Sequence, residues 1–180
     1  MEIKSCAITD IGRKSQPNPD SYLVNDALGL YIVADGMGGH AGGEFASKIA
    51  VATVEQIIKA EDRAESGVNE STFLDHDRLM GDDSEQDRLR DAITRAGNMI
   101  TQRAIEQPEL RGMGTTSTVM LFAQGKAYIA HVGDSRAYCV RNQKITQITE
   151  DHSLVHEQLK SGLITAQEAR THQLRNIITR

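Results

Sequence analysis

Short apolar runs broken by turn residues fill the first part of the chain: IKSCAIT, SYLVN and LYIVA, with DIGRKSQPNPD and NDALG between them. Runs of this length and composition predict strands, and the short NDALG link predicts an antiparallel hairpin between the second and the third. From Gly43 the period changes. Phe45, Ile49, Ala50, Thr53, Val54, Ile57 and Ile58 recur at helical spacing, which predicts an amphipathic helix over residues 43–60 with that stripe against a core.

Residues 61–91 carry eleven acids and four bases, a local charge of −7, among scattered Gly, Ser, Asn and Asp, and most of the segment reads as a solvated loop or insertion. Helical order returns in SEQDRLRDAITRAGNMITQRAIEQ, with Leu89, Ala92, Ile93, Ala96, Met99, Ile100 and Ala104 as its stripe and Ser84 as the N-cap. After PELRGMG, the β-branched and aromatic stretch TTSTVMLFAQGKAYIAHVGDSRAYCVRNQKITQIT predicts a meander of three or four antiparallel strands, because turns such as QGK and RNQK are too short for parallel crossovers. The tail reads as two short helices separated by SGLIT, the second capped by Thr165, with NIITR helix-like at the end. Strands, two helices, strands and helices in that order predict an α+β fold with helices laid over antiparallel sheet.

Composition narrows the function. At 180 residues, 39% apolar and 25% charged, the chain fits one globular domain. A net charge of −5 argues against nucleic acid or an anionic membrane as the main partner. Cys6 and Cys139 stand alone, with no zinc-like cluster, which favours a reducing compartment. The start MEIKSCAITD has no signal-peptide pattern and no apolar run is long enough to span a bilayer, so the chain is expected to be cytoplasmic and unanchored; a monomer is expected as well, although no sequence feature decides it.

The candidate chemistry lies where strands meet loops. Asp20 precedes SYLV, Asp35 follows LYIVA and Asp134 sits in IAHVGDSRAY, the last two beside glycines that let a ligand approach the backbone. A single Asp at such a place often only caps a turn, but three together suggest a carboxylate-lined site for a hard cation. The loop DGMGGHAGGE has five glycines within eight positions, and Gly36, Gly38 and Ala41 fit the G-x-G-x-x-G/A dinucleotide pattern. That alternative, a nucleotide-binding oxidoreductase, needs a parallel βαβ unit, whereas the predicted helix leads into an acidic segment and another helix. It also places an ionised Asp35 against a pyrophosphate. Divalent ions on Asp35 would remove the conflict by attracting the phosphate instead. A pair of such ions, about 3.5–4 Å apart, can acidify a bridging water for in-line attack on phosphorus. His40, in the same loop, is a candidate to protonate the leaving oxygen, although a loop histidine is more often only solvated.

VADGMGGHAGGEFAS, GMGTTSTVMLF, AHVGDSRAY, TEDHSLVHEQLKSGLIT and EARTHQLRNIITR resemble, in order, the motifs of bacterial metal-dependent protein phosphatases of the type 2C family. The resemblance implies a Mg2+- or Mn2+-dependent serine/threonine phosphatase, with two antiparallel sheets between helical layers and two or three ions. It makes Asp35 the bridge between two metals, the Gly36 carbonyl a ligand, Asp20 a ligand through water, and Asp134 the acid of an additional, weaker metal. The TTST run, Ser135 and Arg136 then read as support around that last acid. The implied partners are phosphorylated proteins, including serine/threonine kinases and their substrates. Two departures stand out. Where the family reads R-x-x-N-E-D, SQPNPD has Ser15 and Pro19, leaving Arg13 as the candidate for the substrate phosphate. Family members also continue beyond NIITR to two further metal-binding aspartates. A fragment of a longer enzyme is therefore expected, the alternative being an inactive member of the fold that binds phosphoproteins.

Overall fold

The computed structural model describes residues 3–12, 18–39, 42–66 and 84–179. Its frame is a four-stranded antiparallel sheet in the order β1 (Ser21–Asn25), β2 (Leu30–Ala34), β5 (Ser117–Ala123), β6 (Lys126–Val132). The short strands β3 (Gly36–Met37) and β4 (Gly114–Thr115) pair beside it, and β7 (Tyr138–Arg141) and β8 (Lys144–Gln147) form a separate hairpin. Two long helices, α1 (Gly42–Ser66) and α2 (Ser84–Glu106), separate the strand groups, and α3 (Leu154–Lys160) and α4 (Ala166–Thr171) close the chain. The α+β class expected from the pattern is the one observed.

Side chains alternate across the sheet, and the register lines them up. Leu23 faces Ile32, Ile32 faces Val119 and Val119 faces Ala130, so one face carries Leu30, Ile32, Ala34, Val119, Leu121 and Tyr128. That face is buried by Ala46, Ala50, Val54 and Ile58 of α1 and Leu89, Ala92, Ala96 and Ile100 of α2. The helical stripes are thus as predicted, except at Phe45 and Met99, which are half exposed because the contact lines run through Ala46 and Ala96 instead. The opposite face carries Tyr22, Val24, Val33, Met120 and Ile129, which with Tyr138 at the start of β7 line a cavity of about 250 Å3. Among the described residues no helix is long and apolar enough to cross a membrane.

The structure departs from the pattern in four places. The first helix does not stop at residue 60 but continues to Ser66, so the start of the predicted acidic loop is helical, while the second helix begins at Ser84, where the pattern put it. Acids at a helix C-terminus oppose the macrodipole. Arg88 offsets this by reaching from α2 to Glu61 (2.9 Å) and Asp62 (2.6 Å), while also holding Glu85 (2.8 Å) on its own helix. The rest of the acidic segment, 67–83, lies outside the described residues. Second, IKSCAIT is not a strand: residues 3–10 have no regular structure, Ile8 is 94% exposed, and the segment is tied by side chains such as Ser5, whose hydroxyl donates to Asp26 (2.5 Å). Third, the meander divides. QGK and RNQK do make tight hairpins, with Gln124, Asn142 and Gln143 at positive φ, as such two-residue turns require. The loop between β6 and β7, however, carries the second hairpin out of the main sheet. Fourth, NIITR is not helical, since Ile178 bridges Ser153 in an extended pairing and the Leu154 N–H donates to the Ile177 carbonyl (2.9 Å). Thr165 caps α4 as predicted, in a reciprocal capping box with Glu168.

Two stability effects follow. Burial works against the Arg88 charge, yet Asp62, Glu61 and Glu85 together raise its pKa, and its side chain is only 10% exposed. Replacing Arg88 by Met leaves the buried Glu85 unpaired among like charges. We expect a loss of about 3 kcal/mol in urea unfolding, the lower end for a broken buried ion pair because Glu61 and Asp62 are partly solvated. Arg136 grips Asp151 through two hydrogen bonds (2.8 and 2.5 Å) and thereby holds the Asp151 carboxyl below its ordinary 3.8. A depressed folded pKa stabilises above the unfolded value and ceases to as pH falls through the folded one. Asp151→Asn is therefore expected to lower the urea midpoint at pH 7, with the gap to wild type closing only below about pH 4.

Candidate metal centre

The pairing of β1 with β2 sets Ser21 opposite Ala34, so the next rung outward brings Asp20 opposite Asp35. Ser21 and Ala34 point to the helices, and Asp20 and Asp35 accordingly point to the other face. There they line a cleft of about 260 Å3 together with Ile8, Thr9, Tyr22 and Ser135. Two carboxylates distant by fifteen positions in sequence are thus made neighbours by one strand register.

Each is held by its backbone. On the Asp20 side, the Asn18 side chain accepts from the Asp20 N–H (3.0 Å), and the Pro19 carbonyl accepts from Ser47 Oγ of α1 (2.6 Å). Ser47 is fully buried and also lies 2.9 Å from Ser21 Oγ. A hydroxyl has one proton to give, so with Ser47 donating to Pro19 the Ser21 hydroxyl donates to Ser47. On the Asp35 side, the N–H donates to Thr116 Oγ1 (3.0 Å), and the carbonyl accepts from the Thr116 N–H (2.9 Å) and from Thr115 Oγ1 (3.0 Å). The next residue, Gly36, is pressed between backbones: a Cβ there would lie 2.0 Å from the Gly43 carbonyl oxygen and 2.6 Å from that of Pro19. Only glycine lets β3 cross the start of α1 this closely.

The Asp35 carboxyl is pushed above the usual carboxylate range. The main cause is loss of water around it in the cleft, although the residue itself is open to solvent on one side; the charge of Asp20, a hydrogen bond with Asp20 and the charge of Asp134 follow. The charges of Asp20 and Asp134 that act on Asp35 are both negative, and a cation offsets them. Among the described residues no three His, Cys, Asp or Glu side chains stand close enough together to enclose an ion. A hard divalent cation such as Mg2+ retains several waters and is commonly held by one or two carboxylates with the substrate's own phosphate oxygens. Asp20, Asp35 and the backbone at Gly36 fit such a donor set.

Of the residues singled out from the sequence, Asp20, Asp35 and Gly36 are brought together, and Asp134 is close enough to act on Asp35 through its charge. His40 and Arg13 lie outside the described residues. Arg136 does support the Asp134 loop, as expected, through Asp151. Ser47 was not anticipated. Its signal in the sequence was a hydroxyl on the apolar face of α1, a place where a polar group must find a partner. Thr116, expected to support Asp134, also bonds the backbone of Asp35.

The geometry has close parallels. The serine/threonine phosphatase stp of Listeria monocytogenes is 39% identical over 175 residues, covering 96% of this chain and 64% of that protein. A solved bacterial serine phosphatase superposes with a TM-score of 0.78 at 34% identity, over 96% of this chain and 65% of its own. The catalytic domain of the serine/threonine protein phosphatase PstP, solved in complex with two manganese ions, superposes with a TM-score of 0.70 at 34% identity, over 89% of this chain and 60% of its own. The chain thus spans about two thirds of the length of these relatives. With the family model for protein phosphatase 2C matching residues 11–177 and these likenesses in sequence and fold, the chain belongs to the protein phosphatase 2C family.

Proposed function

We propose that this chain carries the metal-binding half of a protein serine/threonine phosphatase site, in which Mn2+ or Mg2+ is held at Asp35 and Asp20 and phosphoserine and phosphothreonine esters are hydrolysed by water. The observation that carries the reading is the Asp20–Asp35 pair, two carboxylates fixed side by side by strand register in a cleft with no basic side chain among the described residues that line it. When bound, the cation supplies acidified water near neutral pH and offsets the charge of the phosphate.

The protein's own groups have distinct roles in this reading. Asp35 would hold the cation through its carboxylate. The Gly36 carbonyl would add a neutral donor, Asp20 would orient water by accepting its hydrogen bonds, and Asp134 would attract a further cation more weakly. His40 protonates the departing serine or threonine oxygen, and Arg13 steers the substrate phosphate. The chemistry asks for a phosphorylated protein chain as partner, either a serine/threonine kinase or its substrate, in the cytoplasm. Support for this comes from relatives whose names describe serine/threonine phosphatases and from a structural neighbour that holds two manganese ions.

With a phosphothreonine peptide and Mn2+, the chain extended to the length of its relatives is expected to release phosphate, and Asp35→Asn in it to lower the rate about a hundredfold or more, a change of at least ~2.7 kcal/mol in the barrier. Peptide binding without phosphate release by that extended chain would replace the enzyme by a phosphoprotein-binding module. Release that persists after chelation of the metal would rule out the mechanism.

A further inference from the structure

Resting on the phosphatase reading of the cleft, an inference can be drawn about what sets the distance between its acids. Asp35 and Asp134 come from different parts of the chain, one at the end of β2 and the other in the loop after β6, and they repel each other. Thr116 stands between them, 1% exposed. Its backbone N–H and its hydroxyl bond the carbonyl and the N–H of Asp35 (2.9 and 3.0 Å), so both polar groups of that peptide are tied to one residue. The same hydroxyl lies 2.7 Å from Ser135 Oγ, immediately after Asp134. Its methyl group closes on the other flank: a Cβ on Gly133 would come within 2.6 Å of Thr116 Cγ2. Two residues along β5, Thr118 Oγ1 donates to the Ser135 carbonyl (3.3 Å) and lies 2.9 Å from His131 Nδ1.

A threonine hydroxyl can accept two hydrogen bonds and donate one, and here it is committed on both sides. It accepts from the Asp35 N–H and shares a hydrogen bond with Ser135 Oγ in which either hydroxyl can donate. No other described side chain bonds both the Asp35 backbone and the loop of Asp134. We propose that Thr116 is a positioning residue that fixes the spacing between Asp35 and Asp134 and so tunes the affinity of the cleft for divalent cations. Without its hydroxyl the Asp35 N–H loses its acceptor and the two acids are free to separate, at a cost felt by any ion that draws on both. Thr116→Val keeps the shape and removes only the hydrogen bonds. Thr116→Ser keeps the bonds and removes only the methyl.

The test is Mn2+ binding by isothermal titration calorimetry on the full chain, with thermal unfolding measured in chelator to separate affinity from stability. Removing groups that orient metal ligands typically weakens binding about 10–100-fold. Thr116→Val is expected to bind Mn2+ about tenfold more weakly, with Thr116→Ser within about threefold of wild type. Ser135→Ala breaks the link from the loop side alone and serves if Thr116→Val does not fold; it is expected to weaken binding by a smaller factor. Wild-type affinity in Thr116→Val, or in Ser135→Ala should the former not fold, overturns the proposal, as does Thr116→Ser binding as weakly as Thr116→Val. If the chain extended to the length of its relatives binds Mn2+ but releases no phosphate from the peptide, the phosphatase reading fails while the positioning role is still decided by the titrations. A wild-type chain that binds no Mn2+ overturns both.

Discussion

Two like charges cannot be kept side by side near a low-dielectric wall unless the backbone leaves them no choice. That constraint underlies the cleft. The register of β1 on β2 makes Asp20 and Asp35 neighbours, and a slip by one residue would turn Leu23 and Ile32 to the wrong face, so the burial that favours the sheet also enforces the repulsion. Everything around the pair keeps it in place. Ser47 anchors the approach to Asp20, the Gly36–Gly43 contact pins the exit from Asp35, and Thr115 and Thr116 clamp the Asp35 peptide. A bound cation then meets a site whose electrostatic cost has already been met by folding.

Much of this was legible in the sequence, and what was not has identifiable reasons. The NDALG hairpin, the stripe of α1 and the three strand-end aspartates follow from local pattern, which is strongest where the apolar period is unbroken. The extension of α1 to Ser66 was hidden because its acids are favourable only beside Arg88, a residue more than twenty positions away. Residues 3–10 have a strand's composition but no ladder, and pattern alone does not reveal whether a partner is present. The meander was read correctly turn by turn and incorrectly as a whole, since the direction of the β6–β7 loop is decided by bonds from Thr118, Arg136 and Thr149 to distant residues. Ser47 and Thr116 illustrate the same limit at the site. Their types are unremarkable, and their roles come from contacts made across the fold.

The sheet also acts as a partition. The helices α1 and α2 and the main apolar core lie on one side of it, and the carboxylates, the cleft and the Asp134 loop on the other. Cohesion is therefore stored on the face that does no chemistry. The face that does can hold mutually repelling groups, open space and solvent without loosening the layer behind it. Changes to packing under α1 and α2 and changes to the acids are separated by the thickness of a strand. Such a chain can alter its robustness and its reactivity almost independently, and selection can act on the one without spending the other.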